Sequence, residues 1–208
     1  MRHAPAGAIT IDGYPVPAGP VDREITINKS RFITWLRPVC HRDEAMAIVE
    51  EARQRYPDAS HHCYAYLLGN PASAQAAMND DGEPSGTAGK PIFNVIQHKG
   101  MSDVLVVVTR YFGGVKLGAG GLVRAYAAAA ESVLAEAEKV ESVPQVLCRL
   151  EMGFAQEQRL RHWAACHDGQ VEEIAYGQSV VMTLRFPRDW MGELEQLCAA
   201  EQIQIALP

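Results

Sequence analysis

Two glycine-rich loops between residues 80 and 126 carry the residue types from which an anion site can be made. The first reads Asp80-Asp81-Gly82-Glu83-Pro84-Ser85-Gly86-Thr87-Ala88-Gly89-Lys90-Pro91. The second runs from Arg110-Tyr111-Phe112-Gly113-Gly114 through Lys116-Leu117-Gly118-Ala119-Gly120-Gly121-Leu122 to Arg124. Nine of the chain's 17 glycines fall between Gly82 and Gly121, a density that weakens a core and so calls for another explanation. Bare backbone approaches a ligand closely, and the free N–H groups at a helix start carry about half a positive charge. The chemistry this pattern points to is capture of phosphate or another anion.

In the second loop, Gly118, Gly120 and Gly121 open a predicted helix, Lys116 and Arg124 flank it, and Arg110 with Tyr111 ends the preceding strand. The competing reading is that these glycines let the helix pack tightly on a sheet. In the first loop, Thr87 and Lys90 suggest a phosphate loop, but the spacing is not that of the Walker A motif. Pro91 also stands where a metal-holding hydroxyl would be. A turn capping the next helix is the plainer alternative. Asp80, Asp81 and Glu83 form an acidic knot that either holds a hard cation or accepts nearby backbone N–H groups. His61-His62-Cys63 does not join it as a set, because neighbours on a strand point to opposite faces. Metal-ligand spacing is absent, so neither a metal nor a cofactor is expected. The same alternation excludes a Cys63–His62 dyad, and Ser30, Ser60, Ser85 and Thr87 lack a nucleophile elbow. No catalytic residue is assigned. Lys29-Ser30-Arg31-Phe32 places two cations and an aromatic at a hairpin, suited to contact phosphate and stack on a base.

The elements that must position these groups follow from periodicity. Val21–Asn28 and Arg31–Val39 read as a hairpin, and Asp43 as the N-cap of a helix stopped by Pro57. His61–Leu68 reads as a strand, and residues 90–99 as a helix starting near Pro91. Asp103–Thr109, an apolar run without alternation, reads as a central strand covered on both faces. An alanine-rich helix is expected over about Ala119–Glu138, and the charged stretch Glu138–Val143 before Pro144 marks a domain boundary. Beyond it the order strand, helix, strand, strand, helix, strand is that of a ferredoxin-like unit. The expected division is residues 1–20 as a flexible leader, 21–140 as the N-terminal domain and 141–208 as the C-terminal domain, in an α+β architecture.

Composition narrows the class. The chain has 208 residues, 48% hydrophobic and 21% charged, as globular proteins do. Its first twenty residues show neither a basic start nor a long apolar run. No apolar run approaches the roughly 18–20 residues that cross a bilayer, so a cytoplasmic protein without a membrane partner is expected. The five cysteines are scattered and form no C-x-x-C pair, which disfavours disulfides and zinc. Net charge is −6, with 13 basic and 14 acidic residues up to position 137 and 6 against 11 beyond it. Any polyanion contact must therefore come from a local patch on the N-terminal part.

Together these segments resemble the Impact family in its bacterial branch. The resemblance rests on Lys29–Phe32, His61-His62-Cys63, Asp80–Pro91, Arg110–Gly114 and Leu117–Tyr126, in that order. It is strong over about residues 20–137. Ser85 stands where related proteins often have Ala, and Phe112 where Tyr is common. The resemblance implies an N-terminal domain like the second domain of a small-subunit ribosomal protein and domain four of elongation factor G. It implies a ferredoxin-like C-terminal domain like domain five of that factor. In eukaryotic members the homologous domain accompanies regulation of translation initiation, through a kinase-activating partner pathway that bacteria lack.

The reading is a non-catalytic binding or regulatory protein contacting RNA, the ribosome or a translation-related protein, with no DNA specificity. Its expected contact residues are Lys29, Arg31, Lys90, Arg110, Tyr111, Lys116, Gly118, Gly120, Gly121 and Arg124, with Asp80, Asp81, Glu83 and Thr87 as a structural or ligand loop. The alternative is a nucleotide- or small-molecule-binding enzyme with phosphate at Leu117–Leu122. A third reading is an adaptor whose partner meets the C-terminal sheet.

Overall fold

The computed structural model describes residues 8–206, which divide into two compact units. The first described strand, β1 (Ala8–Ile11), belongs to the second unit and precedes the whole of the first.

The unit of residues 14–142 contains β2 (Pro15–Pro17), β3 (Val21–Ile27), β4 (Ser30–Pro38), α1 (Arg42–Arg55), β5 (His61–Leu68), β6 (Gln75–Asn79), α2 (Gly89–Lys99), β7 (Val104–Tyr111), α3 (Gly118–Leu134) and β8 (Lys139–Glu141). Its main sheet has the order β3-β4-β7-β5-β6, antiparallel throughout. The pleat sends alternate residues to opposite faces. Phe32, Leu36, Val104, Val106 and Val108 pack with Ile92, Ile96, Tyr126 and Ala129 of α2 and α3. Ile33, Trp35, Leu105 and Val107 pack with Val49 and Ala52 of α1. The unbroken apolar run of β7 is thereby explained: helices cover both of its faces, here on an antiparallel strand.

The other unit joins residues 8–13 to 143–206. It comprises β1, β9 (Gln145–Met152), α4 (Phe154–Cys166), β10 (Gln170–Tyr176), β11 (Val180–Pro187), α5 (Met191–Glu201) and β12 (Gln204–Ala206). β9 lies beside β11, and β11 beside β10, all antiparallel. The other edge of β9 is shared: β12 pairs with residues 149–151 and β1 with residues 145–148. Leu160, Trp163, Leu194 and Cys198 of the two helices bury against Cys148, Leu150, Met182, Leu184 and Phe186.

Several expectations need correction. Residues 1–7 of the expected leader lie outside the described residues, but from Ala8 onward the leader is replaced by two strands. Ala8–Ile11 satisfies backbone groups along the free part of the β9 edge, and Pro15–Pro17 pairs with Lys139–Glu141. The charged stretch at 138–143 therefore contains a strand. Helix α1 begins after His41, not at an Asp43 cap, and Glu44 in its first turn accepts the Cys40 N–H at 3.0 Å. Helix α3 ends at Leu134, short of Glu138, where the chain turns toward β8. Strand β6 was not anticipated because Gln, Ala and Asn are weak strand formers; its pairing with β5 is what places Asp80.

Candidate functional site

The two glycine loops meet. A cavity of about 260 Å³ is lined by Glu83 and Pro84 from the first loop, and by Arg110, Phe112, Lys116, Gly118 and Ala119 at the end of β7 and the start of α3. Gly113 makes this possible. A Cβ there would lie 2.0 Å from the Lys29 carbonyl carbon, so only glycine lets the turn after β7 rest on the β3–β4 turn. The Gly113 N–H also reaches Ser30 Oγ at 3.2 Å.

The floor of the cavity is a buried polar network. Arg110 Nη1 donates to Glu83 Oε1 at 2.5 Å, and the Tyr126 hydroxyl donates to the same oxygen at 2.8 Å. Arg110 Nη2 lies 3.3 Å from Ser30 Oγ, while its Nε is buried without a partner among the described residues. His61 Nε2 stands 3.8 Å from Glu83. Cys63 Sγ lies 3.0 Å from the Asp80 carbonyl oxygen and 3.3 Å from the Tyr126 hydroxyl. Burial pushes both the Cys63 thiol and the Tyr126 phenol well above their ordinary ranges, so Cys63 is not a ready nucleophile. His62 points the other way and is buried against Thr109 Oγ1 at 3.1 Å, with burial, then Arg53, lowering its pKa.

The acidic knot turns inward onto backbone. Asp80 accepts N–H groups from Gly86 at 2.7 Å, Ala88 at 3.0 Å and Gly89 at 2.8 Å. Burial opposes its charge, but these three donors outweigh burial and hold the carboxyl below its usual range. Asp81 accepts from Arg53 at 2.6 Å and from the His62 N–H at 2.6 Å, and is likewise held low against its burial. Thr87 Oγ1 donates to the Pro84 carbonyl at 2.6 Å. The start of α2 is thus filled by the chain's own carboxylate. Among the described residues no group of three His, Cys, Asp or Glu side chains is placed to hold a metal ion.

The start of α3 differs. Leu117 sits at its N-cap position and makes no capping hydrogen bond of its own, and among the described residues no side chain accepts from the N–H groups of the first turn. Four N–H groups at a helix start have no partner within the helix. The first residues of α3, Gly118 and Ala119, line the cavity beside Lys116, which is exposed.

The expected contact residues separate into two sets. Lys116 and Gly118 line the cavity, with Gly120 and Gly121 in the same first turn and exposed Arg124 one turn further on. Lys29 lies in the turn against Gly113, while Lys90 is exposed at the start of α2 and does not line the cavity. Two cations are engaged within the protein. Arg110 is 5% exposed and neutralised by Glu83, so it is a floor residue and not a free surface charge. Arg31 is held by Glu24 across the β3–β4 pair at 2.7 Å and stands 5.2 Å from the centre of the Tyr111 ring. Phe32 is fully buried against Tyr126, with ring centres 5.4 Å apart, and is unavailable for stacking. Phe112 also lines the cavity, a place the sequence reading did not give it; its position between a strand end and Gly113-Gly114 was the available signal.

Comparison with known proteins matches this architecture. Residues 28–134 match the Impact N-terminal domain, and residues 150–190 match a domain of unknown function, DUF1949. The chain is 35% identical over 184 residues to the IMPACT family member YigZ of Escherichia coli K12, covering 88% of this chain and 90% of that protein. It is 39% identical over 165 residues to an IMPACT family member of Haemophilus influenzae, covering 79% of each. A crystal structure described only as a hypothetical protein superposes with a TM-score of 0.81 at 33% identity, covering 95% of this chain and 98% of that one. This chain belongs to the Impact family. Among the described residues no helix is long and apolar enough to cross a membrane.

Proposed function

We propose that this protein is a non-catalytic, translation-related protein of the cytoplasm that binds phosphate of structured RNA, ribosomal RNA foremost, at the cleft beside the start of α3. The observation that carries the reading is the contrast between the two loops. The start of α2 is occupied by Asp80, whereas among the described residues no side chain accepts from the start of α3, whose first residues line a cavity edged by Lys116. Amides and cations so arranged select phosphate without reading sequence.

Family membership and fold support the setting. The N-terminal unit is read as the ribosomal-protein and elongation-factor domain fold that the motifs suggest, and the C-terminal unit, with strand order β12-β9-β11-β10, as ferredoxin-like. Eukaryotic relatives of the N-terminal domain, as the motif resemblance implies, act in translational control. Fold likeness alone guides function only loosely, so the cleft bears the argument.

Binding to purified ribosomes or a structured RNA should weaken as salt rises, since each phosphate contact releases counterions. Lys116→Glu with Arg124→Glu should weaken binding across all sequences and flatten the salt slope by about one for each phosphate no longer engaged. Unchanged binding would remove the cleft as the contact surface. Stabilisation by free nucleotides without any RNA binding, about 2.7 kcal/mol at one hundred times the dissociation constant, would favour the nucleotide-binding alternative.

A further inference from the structure

We infer that the cleft takes an unpaired RNA nucleotide, its base stacked on Phe112 and its phosphate at the first turn of α3. The inference rests on the phosphate reading above and adds which form of RNA is bound.

Phe112 is 51% exposed, whereas the other phenylalanine at this end of the sheet, Phe32, is fully buried. Leaving so large an apolar ring in water is unfavourable unless something covers it. The backbone that carries the ring is also held in place. Its neighbour Gly113 lies against the Lys29–Ser30 backbone, and the Phe112 N–H reaches Ser60 Oγ at 3.4 Å. The guanidinium of Arg110 stands 5.7 Å from the ring centre, buried and fixed by Glu83. An exposed aromatic ring lining a cleft together with a free lysine suits a stacking platform.

The second half of the site shares the same cavity. Lys116 and the first residues of α3 line it together with Phe112, and so does the buried Arg110, whose Nε has no partner among the described residues. One cavity of about 260 Å³ is therefore lined both by an aromatic residue and by the first residues of a helix. A nucleotide offers the matching pair, a flat base and a phosphate. In a duplex both base faces are covered by neighbours, so a splayed or single-stranded nucleotide is what this arrangement selects.

The test uses the full chain, a short unstructured oligoribonucleotide and a blunt-ended, loop-free RNA duplex of comparable length, both fluorescently labelled. Phe112→Ala should weaken single-strand binding about 5- to 150-fold, the range of base–aromatic stacking, and leave duplex binding unchanged. Phe112→Trp should retain single-strand binding, with an indole signal quenched by the oligonucleotide and not by the duplex. If Phe112→Ala binds the single strand as wild type does while the Lys116→Glu, Arg124→Glu variant fails to, stacking is overturned and the phosphate reading stands. If the unaltered protein binds neither RNA at low salt, both fall.

Discussion

Glu83 and Arg110 form an ion pair at 2.5 Å with their side chains only 4% and 6% exposed, and Tyr126 donates to the same carboxylate oxygen. The pair joins the first glycine loop to the end of β7 and so fixes the cleft floor. Removing one partner of a buried pair strands the other charge away from water. Glu83→Ala should cost about 3–5 kcal/mol in denaturant-induced unfolding. Adding Arg110→Met should recover much of that loss. A single variant as stable as the parent would show that water reaches Arg110 freely.

Asp80 and Asp81 make acid stability a readout of the first loop. Both carboxyls are held below their ordinary range in the fold despite burial, Asp80 by backbone N–H groups and Asp81 chiefly by Arg53 and the His62 N–H. The folded state thus holds these protons less tightly than the unfolded chain, whose aspartates titrate near ~3.9. Their contribution is complete above that value and disappears as pH falls through the depressed folded values. Unfolding free energy measured against pH should decline across that acid window, and Asp80→Asn should make the decline shallower. Asp80→Ala should also lose about 1–2 kcal/mol at neutral pH, as loss of a helix-start acceptor does. An unaltered acid limb in Asp80→Asn would show that Asp80 is not set by those amides.

Gly113 and Gly19 offer a matched pair of alanine substitutions. A Cβ on Gly113 meets the Lys29 carbonyl carbon at 2.0 Å, while one on Gly19 meets nothing within 4 Å. Gly113→Ala must push the turn off the β3–β4 hairpin, at about 1–3 kcal/mol or more, and should weaken single-stranded RNA binding by displacing Phe112. Gly19→Ala should match the parent in both thermal unfolding and binding. Equal behaviour of the two variants would show that the turn is not pinned at Gly113.

Much of the architecture was legible because it is written in local periodicity. The unbroken apolar run of Val104–Val108 announced a strand covered on both faces, and the βαββαβ order of the last third was readable from spacing alone. Elements whose pairing is distant were not. Ala8–Ile11 looks like a leader until the open edge of β9 is present, and Gln75–Asn79 is a strand only because β5 holds it.

For the site, the sequence by itself determined that two glycine loops flanked by cations would each lead into a helix. Only the tertiary structure decided which charges remain free. Arg110 and Glu83 lie 27 positions apart and neutralise each other, Arg31 is taken by Glu24, and Asp80 fills one helix start while the other stays open. Likewise Phe32 turns into the core and Phe112 out of it. Periodicity reports which face a residue prefers, but a charge's partner and a ring's cover are settled by groups that meet only when the sheet has closed.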